Sequence, residues 1–501
     1  MRKCTVLIVV FLTAFCVHGQ TTPPKFAVKP AIPAAIGRIH ADSLRGDLSF
    51  LASDLLEGRN TPSRGLDIAA EYIAAQFRRA GLEPGGDDDY FQTARMQVVA
   101  PNTKAFTLKL TQGDSVFAAA PQETFWRNQD ALVLENAPIF KLDATEPSLV
   151  EQLTSADVQG KVVITEFEPK LLANLQTAVR KLRQSRPALT ILVDAKGVTV
   201  EGGERERLWD PERPDTAAPQ ITLTGEGAVA FFTSLKPGTA AAVASVHIEA
   251  PDRKPVVLRN VVGILRGSDP ALRETAVLLT AHYDHLGVRP DGDGDRIYNG
   301  ANDDGSGTVS VLEVARALAS LKPHPRRSIV FMTFFGEEKG LVGSRYYARH
   351  PIWPLAKTIA QLNLEQVGRT DSSEGQQIAN ATLTGFDYTG ITGFVQRAGE
   401  LTGIKIYKNA RNSDGYFFQS DNLSLAEMGV PAQTLCVAFD YPDEHRVGDE
   451  WQKINYDNMA KVDRAVALSM VLMADSERAP KWNAANPKTA PYLQAWQKLH
   501  K

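Results

Sequence analysis

The sequence of 501 residues has little cysteine, no marked excess of charge of either sign and only one long apolar run. Its three cysteines exclude a disulfide-rich scaffold. Two of them, Cys4 and Cys16, lie in the first twenty residues, which leaves Cys436 as the single cysteine in the rest of the sequence. The 55 basic and 58 acidic side chains give a formal net charge of −3, so we expect no nucleic-acid partner.

The apolar run lies at the N-terminus, where it follows two basic residues. Arg2 and Lys3 precede Val6–Val17, and the small residue Gly19 follows, as in a cleaved export signal. The run is shorter than the roughly 18 apolar residues that span a bilayer, and no other segment approaches that length. We therefore predict a signal peptide at 1–19, a periplasmic or secreted mature protein and no stable membrane span.

The length is too great for one ordinary hydrophobic core and predicts at least two domains. Helical periodicity follows a Pro-rich spacer, and short β-rich runs punctuated by turn residues come next, with helices predicted at Leu171–Arg183 and Gly225–Leu235. Strands then alternate with helices until a tail that contains three prolines. The predicted division is a spacer at 20–35, a helical part of the catalytic domain at 36–95, a β-rich insert at 96–250, a catalytic domain at 251–475 and a C-terminal tail at 476–501.

The predicted catalytic domain has the pattern of an α/β fold. Its strands, for example Val277–Thr280 and Ser328–Phe335, are apolar without alternation, which is typical of strands buried on both faces. Helices are predicted between them, over Ser306–Leu321, Gly390–Thr402 and Tyr456–Leu472. This order predicts a sheet covered by helices on both sides.

His282 and Asp284 directly follow one of these apolar strands. A lone histidine at a strand end is more often structural than metal-binding. A carboxylate two residues away can accept its second N–H and raise its basicity, which favours a ligand. We therefore interpret His282 as a metal ligand.

Further carboxylates follow in the loop Asn299–Gly307 and after the next strand. Asp304 or Ser306 could cap the helix that begins there, whereas Asp303 could bridge two metal ions roughly 3.5–4 Å apart. Glu337 and Glu338 leave a strand at a turn, where adjacent side chains diverge. One can then bind metal while the other faces a water molecule. Imidazole and carboxylates at strand ends predict a zinc site, and we interpret the set as a two-metal hydrolase.

Three other motifs allow different interpretations. The acidic run Asp291–Asp295 begins like a calcium loop but lacks the glycine and the glutamate required later in that motif. Gly305-Ser306-Gly307 lacks the leading glycine of a nucleophile elbow. Glu57-Gly58-Arg59, between two predicted helices, could form a salt bridge that links them or could act at the rim of the cleft.

The motifs described so far and several later ones form a series of blocks. They are His282-Tyr-Asp284, Gly300–Gly307, Gly336-Glu337-Glu338, Gly340–Ser344, Asn363-Leu364-Glu365, Ser420-Asp421, and His445 with Asp449 and Lys453-Ile454. Together these blocks resemble the signatures of metallopeptidase family 28, the di-zinc aminopeptidases. They cover roughly Ile36–Arg95 and Pro255–Ala474, and the insert around Val158–Ile164 resembles a protease-associated domain.

This resemblance implies a three-layer αβα zinc-exopeptidase domain with a mixed central sheet, an inserted mostly-β protease-associated domain and two zinc ions per chain. It also implies a role for each matching residue. His282 and Glu365 would hold one zinc, Glu338 and His445 would hold the other, and Asp303 would bridge the two ions. Glu337 would be the general base and acid. Asp284 would orient His282, and Asp421 would lie behind the ligands.

The expected function is an exported zinc-dependent exopeptidase, foremost an aminopeptidase acting on peptides. Most family members have aspartate where this chain has Glu365, and the extra methylene leaves the choice between amino- and carboxy-terminal cleavage open. One alternative is a glutaminyl cyclase-like acyltransferase with one zinc. The other is a catalytically inactive receptor or scaffold, which the retention of all five ligand positions disfavours.

Overall fold

The structure is a computed structural model that describes residues 29–120, 124–167, 182, 185–194, 206–212 and 219–501. The predicted signal peptide at 1–19 lies outside the described residues, and so does the predicted helix Leu171–Arg183 apart from Leu182. Helices and strands are numbered here in chain order over the described residues.

The helices run from the N-terminal region to the tail. They are α1 Ala31–Ile36, α2 Ala41–Leu51, α3 Arg64–Ala80, α4 Pro147–Gln152, α5 Ser155–Val158, α6 Glu226–Ser234, α7 Gly307–Ala319, α8 Val342–Arg349, α9 Ile391–Thr402, α10 Ser413–Tyr416, α11 Asn422–Glu427, α12 Tyr456–Asp475 and α13 Ala490–Leu499.

The strands form two large sheets and two short ribbons. They are β1 Glu83–Pro84, β2 Phe91–Ala100, β3 Thr107–Gln112, β4 Ser115–Ala118, β5 Thr124–Arg127, β6 Leu132–Lys141, β7 Val162–Glu166, β8 Leu189–Val193, β9 Arg207–Trp209, β10 Gln220–Leu223, β11 Gly238–Ile248, β12 Asp252–Leu265, β13 Ala276–His282, β14 Gly287–Val288, β15 Ile297–Tyr298, β16 Ser328–Phe334, β17 Thr358–Leu364, β18 Asp371–Ser372, β19 Gly375–Gln376, β20 Asn380–Leu383, β21 Lys405–Tyr407 and β22 Ala432–Cys436.

The larger sheet is mixed, in the order β21-β20-β22-β17-β13-β16-β12-β2-β9, with β1 added on β12. Its centre is parallel: β13 pairs with β16 and β17, and β17 pairs with β22. Antiparallel pairs flank this centre, between β12 and β16 and between β20 and β22. The predicted α/β class with a mixed central sheet is confirmed.

Helices cover both faces of this sheet. Successive residues of β13 point to opposite faces, so Leu279 packs in a core with α2, α3, α7 and α12 while Leu278 packs with α8, α11 and α13. Both side chains are fully buried, and so is every residue of β13 and β16. The continuous apolar sequences of these strands are therefore explained by a sheet that is enclosed between two helical layers, as predicted.

The N-terminal helices end where local signals predict. Ser63 caps α3 by accepting a hydrogen bond from the backbone N–H of Leu66, and Gly81 ends it in the left-handed conformation, with φ of 75°. Leu44, Leu48 and Phe77 from α2 and α3 lie in the same core as α7 and α12. The N-terminal helices are thus part of the layer that supports the sheet.

The second sheet contains strands from the predicted insert, in the order β4-β3-β11-β6-β7-β8-β10-β5, around its own apolar core. β9, which lies within the predicted insert, and β2, which lies partly within it, belong instead to the larger sheet. β2 pairs with β12 over ten residue pairs, from Phe91 opposite Val261 to Ala100 opposite Asp252, and β9 pairs with β2. The expected boundary at residue 96 falls inside β2, and the division into domains stays a prediction.

The C-terminal tail contains the helix α13, whose second residue is Pro491. Trp482 and Tyr492 are buried and stack with ring centroids 4.8 Å apart, and the indole N–H of Trp482 donates to the carbonyl of Gly429. Within the described part of the chain, none of the helices has the length and apolar character that crossing a membrane requires.

Candidate metal centre

The candidate site lies at the carboxyl edge of the parallel strands in the larger sheet. β13 ends at His282, and Glu337 and Glu365 follow the ends of β16 and β17. Asp303 lies in the short helical segment Ala301–Ser306 that leads into α7. Neighbouring parallel strands end at the same edge of a sheet, so residues far apart in sequence meet there.

One group of possible ligands consists of His282, Asp303 and Glu365. Nε2 of His282 lies 3.2 Å from Oδ1 of Asp303 and 3.1 Å from Oε1 of Glu365. All three are buried. Burial alone would lower the pKa of His282, but the carboxylates of Glu365, Asp284 and Asp303 outweigh it and raise that pKa well above its usual value.

A second group lies on the other side of Asp303. Nε2 of His445 is 3.1 Å from Oδ2 of Asp303 and 3.5 Å from Oε2 of Glu338. The two oxygens of Asp303 thus face different histidines. Burial opposes ionisation of Asp303, but the hydrogen bonds that it accepts from His282 and His445 hold its pKa well below its usual range.

The predicted general base lies next to this pair of groups. The backbone N–H of Glu337 donates to Oδ1 of Asp284 at 3.1 Å, while Nδ1 of His282 is 3.5 Å from the same oxygen. Asp284 also accepts a hydrogen bond from the Thr61 hydroxyl at 3.0 Å. Burial, with a further contribution from the carboxylates of Glu365 and Glu338, raises the pKa of Glu337 well above its usual value.

These distances bring together all the residues that the sequence selected. Their ligand and catalytic roles stay predictions, but their donor set fits zinc, because buried carboxylates and imidazoles lie within reach of a common ion in two groups. Such a cluster is costly without bound cations. Asp421 is also buried close by, which raises the pKa of its carboxyl group to about 7.

The loop that carries Asp303 is fixed through two other carboxylates. Asp304 accepts backbone N–H groups from His282, Gly307 and Gln366, so its part is structural, as one of the sequence interpretations allowed. Asp449 accepts the backbone N–H groups of Asn302 and Asp303 at 2.9 and 3.0 Å. Two carboxylates thus hold the loop in register with the sheet.

Arg59 takes neither of the roles considered from sequence. It is buried, and its guanidinium donates only to backbone carbonyls, which belong to Leu51, Tyr283, Asn299 and Gly300. Burial lowers its pKa to about 10, against the raising influence of the nearby site carboxylates. This one side chain therefore connects the N-terminal helices to the loop after His282 and to the loop that carries Asp303.

Replacing Arg59 should destabilise the whole fold. In Arg59→Met the carbonyls would lose their donors inside the protein, and we expect the free energy of unfolding to fall by at least about 3 kcal/mol. Urea unfolding followed by circular dichroism measures this change. Arg64→Met, at an exposed position in the first turn of α3, serves as the matched control and should change stability little. Equal losses in the two variants would contradict the structural role of Arg59.

A small cavity of about 120 Å³ opens beside Glu337 and Glu365. Its other walls are short or polar, and none of the described residues that line it is lysine or arginine. They include Thr384, Tyr416, Gln419, Ser420, Thr434, Cys436 and Glu444. Room for about one side chain, next to the predicted reaction centre, suits the end residue of a peptide.

Sequence reasoning missed two contacts in the site. Ser420 donates its hydroxyl hydrogen to Oε2 of Glu365 at 2.7 Å, and Nδ1 of His285 lies 2.7 Å from Oε1 of Glu338. His285 directly follows Asp284, but its spacing in the sequence does not distinguish a functional histidine from a structural one. No local signal could have identified Ser420 as the partner of Glu365, although its block was noted.

The fold and the site together define a three-layer αβα protein with a metal-type ligand cluster at the edge of its sheet. Residues 260–470 match the model of peptidase family M28, so this part of the chain belongs to that family. The match includes all five predicted ligands.

Curated relatives also match part of the chain. The chain is 38% identical over 246 residues to a probable zinc metalloprotease of Pyrenophora teres f. teres, which is 45% of this chain and 50% of that protein. It is 34% identical over 128 residues to aminopeptidase YwaD of Bacillus subtilis, 25% of each chain. The chain thus spans about half or less of the length of these relatives.

Solved structures resemble the chain over most of its length. An aminopeptidase from Aneurinibacillus sp. strain AM-1 aligns with a TM-score of 0.56 and 20% identity, covering 88% of this chain and 96% of that one. A zinc aminopeptidase from Bacillus subtilis aligns with a TM-score of 0.50 and 18% identity, with the same coverage. At these identities the likeness establishes the fold alone.

Proposed function

We propose that the chain is an exported, zinc-dependent aminopeptidase that holds two zinc ions. One observation carries the proposal: the two oxygens of Asp303 face two separate ligand groups, one with His282 and one with His445. A carboxylate shared in this way is the arrangement expected of a two-metal hydrolase. The membership of residues 260–470 in peptidase family M28 supports it.

The ligands and their number fit two ions. His282, Asp303 and Glu365 would hold the first, and Asp303, Glu338 and His445 the second. Bound zinc lowers the pKa of a coordinated water and polarises a carbonyl group. The three carboxylates would then face cations instead of one another, and the two neutral imidazoles would bind through a nitrogen lone pair.

Glu337 is the proposed general base. Its carboxylate, which is not among the ligands, would take a proton from the attacking water and deliver it to the nitrogen of the leaving amine. Asp284 positions this group through the backbone N–H of Glu337, and it lies 3.5 Å from Nδ1 of His282. The nearer acceptor for Nδ1 of His282 is the backbone carbonyl of Asp284 at 3.2 Å, so this one residue contacts both the base and one of the ligands.

The charge of the small cavity favours the amino end of a peptide. A carboxypeptidase needs a cationic group that binds the terminal carboxylate, and the described lining residues include no lysine or arginine. Glu444 instead adds a carboxylate to the wall. An ammonium group suits these walls, so the substrates proposed are peptides with a free N-terminus.

The proposal is tested with the purified mature chain and aminoacyl p-nitroanilides. Hydrolysis should require two zinc ions per chain, should stop after EDTA treatment and should return with added zinc. N-acetylation of a peptide should prevent cleavage, whereas C-terminal amidation should not. Release of C-terminal residues would contradict the assigned polarity. A single zinc with cyclisation of N-terminal glutamine would indicate the acyltransferase alternative.

The proposed export rests on the N-terminal sequence. Arg2, Lys3 and the apolar run Val6–Val17 have the order of a cleaved signal. Cys436, the single cysteine of the remaining chain, is free and buried, so the mature protein would need no disulfide in an oxidising compartment.

A further inference from the structure

His285 is a buried histidine whose ring lies in ion-pair contact with Glu338 but makes no aligned hydrogen bond. The residue has no exposed surface, and neither Nδ1 nor Nε2 makes a hydrogen bond in the structure. Burying an imidazole whose nitrogens make no hydrogen bond costs free energy, so its presence needs a physical reason.

The backbone around His285 is built to hold its ring in this place. A Cβ atom on Gly300 would lie 2.4 Å from Cγ of His285, so only glycine leaves room for the ring. Gly300 also has φ of 54°, a conformation that suits glycine. The backbone N–H of His285 donates to the carbonyl of Arg59 at 3.3 Å. The ring thus packs directly against Gly300, and the backbone of His285 is anchored to that of Arg59.

The ring faces the second group of ligands. Nδ1 lies 2.7 Å from Oε1 of Glu338 and 4.0 Å from Oδ1 of Asp303. Oε1 of Glu338 is itself buried without a hydrogen-bond partner. The donor atoms of His285, Asp303 and Glu338 all lie within 4.8 Å of one another, which is close enough to share an ion.

His445 approaches the same two carboxylates from the exposed side. Its ring centroid is 5.8 Å from that of His285, and the planes are inclined by 65°. Slightly more than half of the His445 side chain is exposed, while His285 is fully enclosed. Two imidazoles thus flank Glu338 and Asp303, one from the interior and one from the surface.

We propose that His285 is a further ligand of the second zinc ion, together with Asp303, Glu338 and His445. The inference rests on the proposed two-zinc function. A shared ion would be a common partner for Nδ1 of His285 and Oε1 of Glu338, neither of which makes a hydrogen bond. Four protein ligands are typical of closed zinc sites, whereas three leave a position open for water. The group with His282 would then hold the ion that takes the substrate water.

The test compares the zinc affinities of His285→Ala, His445→Ala and a surface control, His247→Ala, with the wild-type chain. A chelator competition titration gives the dissociation constant of each ion, and the visible absorption of the cobalt-loaded proteins reports the ligands. Loss of a partner behind a metal ligand weakens binding about 10- to 100-fold. We expect His285→Ala to bind the second ion more than about 100-fold more weakly and to show a changed cobalt spectrum. Its affinity for the first ion, the one held by His282 and Glu365, should be unchanged.

Weakening of 100-fold or less would overturn the proposal and leave His285 as a residue that only positions Glu338. Wild-type protein that binds fewer than two ions would instead contradict the proposed function itself. His285→Gln preserves more of the side-chain volume if His285→Ala does not fold, and the circular dichroism melting curve of the metal-free protein shows which variants fold. X-ray absorption of the wild-type zinc protein gives an independent result: three imidazoles per pair of ions support the proposal, and two overturn it.

Discussion

Glu337→Gln should lower kcat for aminoacyl p-nitroanilides by about a hundred- to ten-thousand-fold, the usual contribution of a general base. Glutamine has nearly the shape of glutamate but cannot accept the proton. The N–H of residue 337 that binds Asp284 belongs to the backbone and remains. KM should therefore change little, since substrate contacts and ligand positions are retained.

Metal content separates this effect from damage to the ligand cluster. Glu337→Gln should keep two zinc ions per chain, measured by atomic emission. The matched variant Glu338→Gln changes the neighbouring residue in the same way and should lose zinc, because Oε2 of Glu338 faces His445 at 3.5 Å. Normal turnover by Glu337→Gln would remove Glu337 from the mechanism.

The central strands could be predicted because burial on both faces imposes a plain pattern. The apolar run Val277–Thr280 lies within the observed strand Ala276–His282, and Ser328–Phe335 differs from its strand by one residue. Such runs report the local environment of each residue, and length distinguishes them from helices. The residues that leave these strands could therefore be placed at the sheet edge from sequence.

Long-range pairing could not be read in the same way. The strand Phe91–Ala100 joins the larger sheet only through β12, whose residues lie more than 150 positions later. Its sequence contains Gln92, Thr93 and Gln97 and has no continuous apolar run. The expected boundary at 96 consequently cut through it.

In the candidate site, too, residues with a local sequence signal could be predicted and residues defined by long-range contacts could not. Carboxylates that follow apolar strands, such as Glu337 and Glu338, have a local signal, and Asp303 has a glycine-rich loop. His285 and Ser420 act through neighbours that are distant in sequence, Glu338 and Glu365 respectively. Arg59 has a similar position, because its partners are backbone carbonyls, which no side-chain pattern reports.

Asp303→Asn should abolish both zinc binding and hydrolysis. Asp303 is the only predicted ligand that faces both histidines, with Oδ1 at 3.2 Å from His282 and Oδ2 at 3.1 Å from His445. An amide keeps the size of the side chain, but its nitrogen cannot donate an electron pair to a cation and its oxygen carries no charge. Each ion would then lose an anionic ligand, whereas loss of Glu365 or Glu338 would affect one ion directly.

Thermal stability offers a measure of this loss that does not depend on activity. An ion that binds only the folded chain stabilises it by about 4 kcal/mol at a concentration a thousand-fold above its Kd. Added zinc should therefore raise the Tm of the wild-type chain and of Asp293→Asn, a control in an exposed acidic loop near the site in sequence. It should leave the Tm of Asp303→Asn nearly unchanged. A zinc-dependent rise in Tm equal to that of the wild type would show that Asp303 does not bridge the two ions, because a shared ligand cannot be neutralised without weakening both sites.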